Sequence, residues 1–140
     1  MNATMTSGDA LVAVMLATSA ADERLSDAEL HSITRIVQSL PAFRDYEPER
    51  LRGVSGIVHE LLDAEDGLDA LIGIVQQSLT TDLHETAYAL ACDVAAADGK
   101  VPLAEMRWLQ MLRNGLGIDL LVAAAIERGA RARHRALPPA

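Results

Sequence analysis

Aromatic residues are nearly absent from this sequence: Phe43, Tyr46, Tyr88 and Trp108 are all there are in 140 residues. With half the chain hydrophobic, the core must be built from Leu, Ile, Val, Ala and Met, a palette that favours helices over sheets. The few aromatics are not interleaved with basic residues as a stacking platform requires, and a formal net charge of -8 opposes a phosphate backbone. Nucleic acid is therefore not an expected partner. Cysteine is scarcer still. Cys92 stands alone, which excludes an internal disulfide and a multi-cysteine zinc site, fits a reducing compartment and is expected to be a buried thiol. No apolar run approaches the ~18 residues of a membrane span, and no basic region leads into an apolar signal core. The expected location is cytoplasmic, with no integral membrane segment. No stretch carries a strand signal above noise.

What is present is helical periodicity over a length suited to one domain. Residues 1–8 are small and polar and are expected to be a disordered tail, followed by a helical domain over 9–135 and a short tail over 136–140. From Asp9 to about Ala21, Leu11, Val12, Val14, Met15 and Leu16 surround most of a helix, which predicts a buried central element. Ser26 with Glu29 forms a capping box for a second helix, ended by Leu40-Pro41. Pro48 opens a third, whose Leu51, Val54, Ile57, Val58, Leu61 and Leu62 form a one-sided stripe. A fourth runs from Leu68 to Leu79 and a fifth from about Leu83 to Ala97. A sixth covers Leu103 to Asn114 and stops at Gly115-Leu116-Gly117. Asp119 caps a seventh, which continues to about Arg133.

Two stretches repeat each other. Ala95-Ala96-Ala97-Asp98-Gly99-Lys100-Val101 has a degenerate copy in Ser19-Ala20-Ala21-Asp22-Glu23-Arg24-Leu25. Superposing Asp22 on Asp98 also pairs Glu29 with Glu105, Leu30 with Met106 and Ile33 with Leu109. Each copy reads helix, acidic loop, helix, with Ala20, Ala21, Ala96 and Ala97 expected at close helix contacts. Gly99 is expected to take positive φ as a left-handed helix cap. The pattern Ala-Ala-Asp-Gly-basic-apolar with a later Glu, together with Asp93 upstream and the segment from Leu61 to Leu68, resembles the TerB-like family of bacterial tellurite-resistance proteins from about Leu11 to Arg133. The resemblance implies an all-α bundle of about seven helices with an internal helix-loop-helix duplication, and a role near stress or tellurite-resistance systems. Related domains accompany a J-domain in membrane-anchored co-chaperones, but these 140 residues contain no His-Pro-Asp triplet and no apolar run long enough for an anchor, so a co-chaperone role is not expected. Two departures stand out: Glu23 replaces the glycine of the first loop, and Pro102 sits where the first copy has Ser26.

The family's acidic positions imply a divalent-cation site (Ca2+, Mg2+ or Zn2+), matched here by Asp22, Glu29, Asp98 and Glu105. Carboxylate oxygens suit hard cations, and Ca2+ takes roughly 6 to 8 of them. The competing account is structural: Glu29 and Glu105 near helix amino termini satisfy free N–H groups while each Asp braces its loop. Other constellations are thinner. The acidic run from Asp63 to Asp69 fails the calcium-loop spacing, and His59 with Asp63 shares a helix face but lacks a third ligand. His31, His84 and His134 are scattered, and no nucleophile motif is present. Asp93 interrupts an apolar helix and needs a partner, for which Lys100 or a backbone loop is expected. Arg128, Arg131, Arg133 and Arg135 with His134 suit a helix carboxyl end, with an acidic partner or lipid headgroups as the alternative. The resulting expectation is a noncatalytic cytoplasmic domain that works through protein partners, with a cation at its acidic loops as an open addition. The alternative is a metal-dependent enzyme using the same acidic residues. A concave pocket of converging carboxylates would favour the enzyme, and an exposed Leu, Met or Trp patch the interaction module.

Overall fold

The computed structural model describes residues 5–20, 27–97 and 101–139. Among them run seven helices: α1 (Ser7–Ala20), α2 (Asp27–Ser39), α3 (Arg50–Asp63), α4 (Gly67–Ser78), α5 (Thr81–Ala97), α6 (Leu103–Gly115) and α7 (Leu120–Arg133), with a short 3-10 turn at Pro41–Phe43. The all-α expectation holds, and no strand occurs among the described residues.

Every residue of α1 from Asp9 to Ser19 is buried. The sequence shows apolar residues around the whole circumference of this helix, and the fold answers by packing α2, α3, α4, α5 and α6 against it. Its widest contact is with α5. Ala10, Ala13 and Ala17 on α1 and Ala87, Ala91 and Ala95 on α5 are all buried, and their spacing forms small-residue stripes that let two helix axes approach closely. The alanines expected to fill this role are displaced. Ala96 is only half-buried and Ala97 exposed, because Ala97 sits two residues beyond Ala95 and so on the far side of α5 from the stripe. Ala20 is half-buried, and Ala21 lies outside the described residues.

The outer helices are amphipathic in the ordinary way. α2 buries Ile33 and Val37, α3 buries Leu51, Val54 and Val58, and α4 buries Leu71, Ile72 and Val75. Each such side chain contributes about 1.5–3 kcal/mol by leaving water. Ile57, assigned to the α3 stripe by its spacing, is exposed instead.

Ends and corners follow local chemistry. α1 begins at Ser7, two residues earlier than expected, because Thr6 and Asp9 form a capping box: the Asp9 amide donates to Thr6 Oγ1 at 3.1 Å and the Thr6 amide to Asp9 Oδ2 at 3.4 Å. Met5 is buried in the core just before it. The α3–α4 corner is tight enough that a Cβ at Gly67 would lie 1.8 Å from the Leu61 carbonyl oxygen. Asp66 beside it takes a left-handed φ of 60°, which Asp tolerates better than most residues. After α6, Gly117 has φ 65° and the Ile118 amide donates back to the Arg113 carbonyl. Asp119 Oδ2 then accepts from the amides of Leu121 and Val122, as expected of the α7 cap.

Two polar contacts lock α1 at opposite ends. Arg50 on α3 donates to Asp9 through Nε at 2.9 Å and Nη2 at 2.6 Å, and the Tyr46 hydroxyl donates to the same carboxylate at 2.9 Å. The Arg50 bond holds the Asp9 carboxyl below its ordinary value of 3.8 against the opposing effect of burial, with Tyr46 adding to the lowering. At the other end the buried Trp108 indole donates to Thr18 Oγ1 at 2.9 Å, while that hydroxyl donates to the Val14 carbonyl at 2.8 Å.

A folded-state pKa below the unfolded one means that the Asp9 contribution is complete above about pH 4 and is lost as pH falls through the lower folded value. Asp9→Asn is therefore expected to destabilise by about 1–3 kcal/mol at pH 7, with the difference from the parent protein shrinking below pH 4, as read by denaturant unfolding across pH. Thr18→Val keeps the volume but strands the indole N–H, and is expected to cost about 1–3 kcal/mol in the same measurement.

Candidate functional site

The carboxyl-terminal turns of α1 and α5, together with α2 and the end of α7, border an open concavity of about 380 Å3. Ser19, Glu29, Ser32, Arg35, Asp93 and His134 supply its polar lining. Ser32 and Ser39 turn their hydroxyls back onto the carbonyls of Ala28 and Ile36. Ser19 differs from them: it is only 3% exposed and its hydroxyl has no hydrogen-bond partner among the described residues.

Asp93 enters this cavity from α5, and its described partner is not the loop but the end of α7. Arg133 Nη2 donates to Asp93 Oδ1, and His134 Nδ1 lies 3.9 Å from the same oxygen and 3.0 Å from the Ala130 carbonyl. The arginine-rich carboxyl end of α7 thus ties that helix to α5. A link from Asp93 to Lys100 lies outside the described residues.

The four expected cation ligands divide. Glu29 and Glu105 both occupy the first turn of their helices, α2 and α6, where a carboxylate complements the helix dipole. Glu29 lines the polar cavity, whereas Glu105 is 3% exposed and does not line it. Asp22 and Asp98 lie outside the described residues, as do Glu23, Ser26 and the expected positive φ of Gly99. Among the described residues no three His, Cys, Asp or Glu side chains converge as a metal-binding group. His59 and Asp63 do share a face of α3, 3.6 Å apart, with both side chains more than two-thirds exposed.

A second concavity of about 500 Å3 lies where α5, α6 and α7 meet. The Tyr88 hydroxyl donates to Glu127 Oε2 at 2.5 Å, and Arg113 Nη1 stands 3.6 Å from the same oxygen. Cys92 borders this trio, and burial pushes its thiol up to about 12. Such a thiol is protonated near neutrality and is a poor nucleophile. Tyr88 is likewise held protonated, first by desolvation and then by Glu127. Sequence reading missed the Asp9–Arg50–Tyr46 and Tyr88–Glu127–Arg113 groupings, since their partners lie on different elements far apart in the chain and share no local pattern.

These features define an all-helical acidic domain whose polar groups cap, brace and tie helices. A family model described as "Tellurite resistance protein TerB" matches residues 8–127, most of the 140-residue chain, and the protein belongs to the TerB family. Neither the curated proteins nor the solved structures compared with the chain contain a match. None of the helices among the described residues is long and apolar enough to cross a membrane.

The neighbours Thr18 and Ser19 give opposite expectations. Because the Ser19 hydroxyl is buried without a partner among the described residues, Ser19→Ala removes a desolvated group and is expected to be neutral or to stabilise by up to about 1 kcal/mol. A loss of stability on chemical denaturation would show that the hydroxyl is satisfied in solution.

Proposed function

We propose that this chain is a noncatalytic cytoplasmic domain that serves tellurite resistance or a related stress response by binding protein partners. The observation that carries the reading is the outward apolar edge at the start of α6, where Val101, Leu103 and Met106 are 41%, 71% and 55% exposed. Large aliphatic side chains held in water in a cluster favour a surface that is covered by something else in use. The protonated Cys92 and Tyr88 support the noncatalytic part of the reading, since neither is poised as a base or nucleophile at neutral pH. Membership of the TerB family supports the link to tellurite.

Within the same reading, Asp22, Glu29, Asp98 and Glu105 are the residues that would hold a divalent cation such as Ca2+, Mg2+ or Zn2+. The donor chemistry fits a hard cation. The placement of Glu29 and Glu105 at equivalent helix starts gives the ion a bracing role between loop and helix.

The test is complementation of a strain lacking the protein. Wild type is expected to restore growth on tellurite, and a Leu103→Asp/Met106→Asp variant is expected to fail although its melting temperature stays within a few degrees of wild type, as exposed positions allow. Full restoration by that variant, with loss of function on Glu29→Gln or Glu105→Gln instead, would favour a metal-dependent enzyme. For the cation, a rise in melting temperature with millimolar metal that Glu29→Gln abolishes would support binding, whereas the capping role of Glu29 and Glu105 alone predicts a weak or absent response.

A further inference from the structure

The helix α6 carries two faces. Glu105, Trp108 and Leu112 point into the core, while Leu103, Met106, Arg107 and Gln110 follow at helical spacing along the side that lines the 500 Å3 groove. α6 and α7 both pack on α5. The groove they bound has an apolar floor of Ala95, Ala96, Leu109 and Ala130, with Val101, Leu103 and Met106 along one lip. Its volume falls within the roughly 300–1,000 Å3 of ordinary ligand sites, and it is open along its length rather than closed over.

The charge on the rim is opposite to that of the molecule. In a chain of net charge -8, this groove is lined by Arg107, Arg113 and Arg131 against one acid, Glu127. Glu127 is already engaged by the Tyr88 hydroxyl and Arg113, while Arg107 and Arg131 make no ion pair within the described residues. Two unpaired guanidinium groups therefore flank an aliphatic trough.

We propose that the α5–α6–α7 groove is the docking site for an acidic amphipathic helix of a partner protein. Leucine-type side chains at positions i, i+3, i+4 and i+7 of that helix would enter the trough and displace water from Leu103 and Met106, and flanking Glu or Asp residues would meet Arg107 and Arg131. A second copy packed symmetrically through the same face would set Arg107 and Arg131 against their own copies, so charge complementarity selects an acidic partner helix over a dimer through this groove. The proposal rests on the reading of the protein as an interaction module, and names the chemistry of its partner.

The probe is a fluorescent synthetic peptide of about four helical turns, with Leu at the four helical positions and Glu flanking them, titrated into the full 140-residue chain and followed by anisotropy. A matched peptide with Lys in place of every Glu and vesicles of anionic phosphatidylglycerol are the comparisons. The Glu peptide is expected to bind saturably, the Lys peptide at least about tenfold more weakly. Met106→Asp is expected to weaken the Glu peptide by about tenfold or more, and Arg107→Glu/Arg131→Glu to invert the preference between the two peptides. Leu121→Asp, at an exposed leucine outside the groove, is expected to leave binding unchanged. Should the charge-reversed protein fail to fold, Arg107→Gln/Arg131→Gln must still reduce the discrimination. Equal binding of both peptides, an equal loss in Leu121→Asp, or binding to vesicles in preference to peptide would overturn the proposal. The two readings can fail separately. If the peptide does not bind but Leu103→Asp/Met106→Asp still abolishes tellurite tolerance, the docking site falls and the interaction module stands; if the peptide binds and that variant restores tolerance, the reverse holds.

Discussion

Enclosing α1 on every side is the constraint from which the other positions follow. An eleven-residue buried run cannot be covered by one neighbour, so five helices converge on it, and the alanines of α1 and α5 set how closely the most extensive pair can approach. A helix buried all round also takes its polar side chains into the core. Asp9, Thr18 and Ser19 therefore need hydrogen-bond partners in place of water. Arg50 and Tyr46 answer the first, Trp108 and the Val14 carbonyl the second, and the third has none among the described residues.

That arrangement gives the scarce aromatic residues disproportionate work. Tyr46 and Trp108 each bring an apolar ring and a single donor to the α1 surface, one near each end of the helix, while Tyr88 holds Glu127 of α7 from its position on α5. Phe43 packs edge-on against Tyr46 with ring centroids 5.7 Å apart, and so supports the ring that reaches Asp9. With so few aromatics, little of the core depends on ring stacking. Aliphatic close packing supplies the bulk of it, and the aromatic donors specify which helix meets which.

The two helices paired by the sequence repeat differ in burial. α2 buries only Ile33 and Val37 and stays at the periphery, whereas α6 inserts Trp108 and Leu112 into the core and still presents Leu103 and Met106 to water. Glu29 and Glu105 share a place in the sequence repeat and a position in the first helical turn. Their surroundings differ: Glu29 looks into a polar cavity with Asp93, and Glu105 is enclosed. A function shared equally by the two loops is thus less favoured than one in which the second unit, with α7 beside it, carries the exposed surface.

Local pattern alone determined the helical class, the number of helices, the central place of α1, the Asp119 cap and the repeat that places Glu29 and Glu105 in corresponding turns. Each depends on interactions within a few residues, where periodicity, capping hydroxyls and glycine conformations act. Thr6 with Asp9 is a capping box that was legible in the same way, and it went unread because the surrounding tail is polar. The tertiary structure decided the rest: that Asp93 answers to Arg133, that Ile57 and Ala97 face water, and that three arginines collect beside Leu103 and Met106 in an otherwise acidic chain. These outcomes depend on which faces of α5, α6 and α7 meet. Helix crossing and side-chain burial are set by the packing of the whole bundle around α1, a long-range condition that no single helix's spacing encodes.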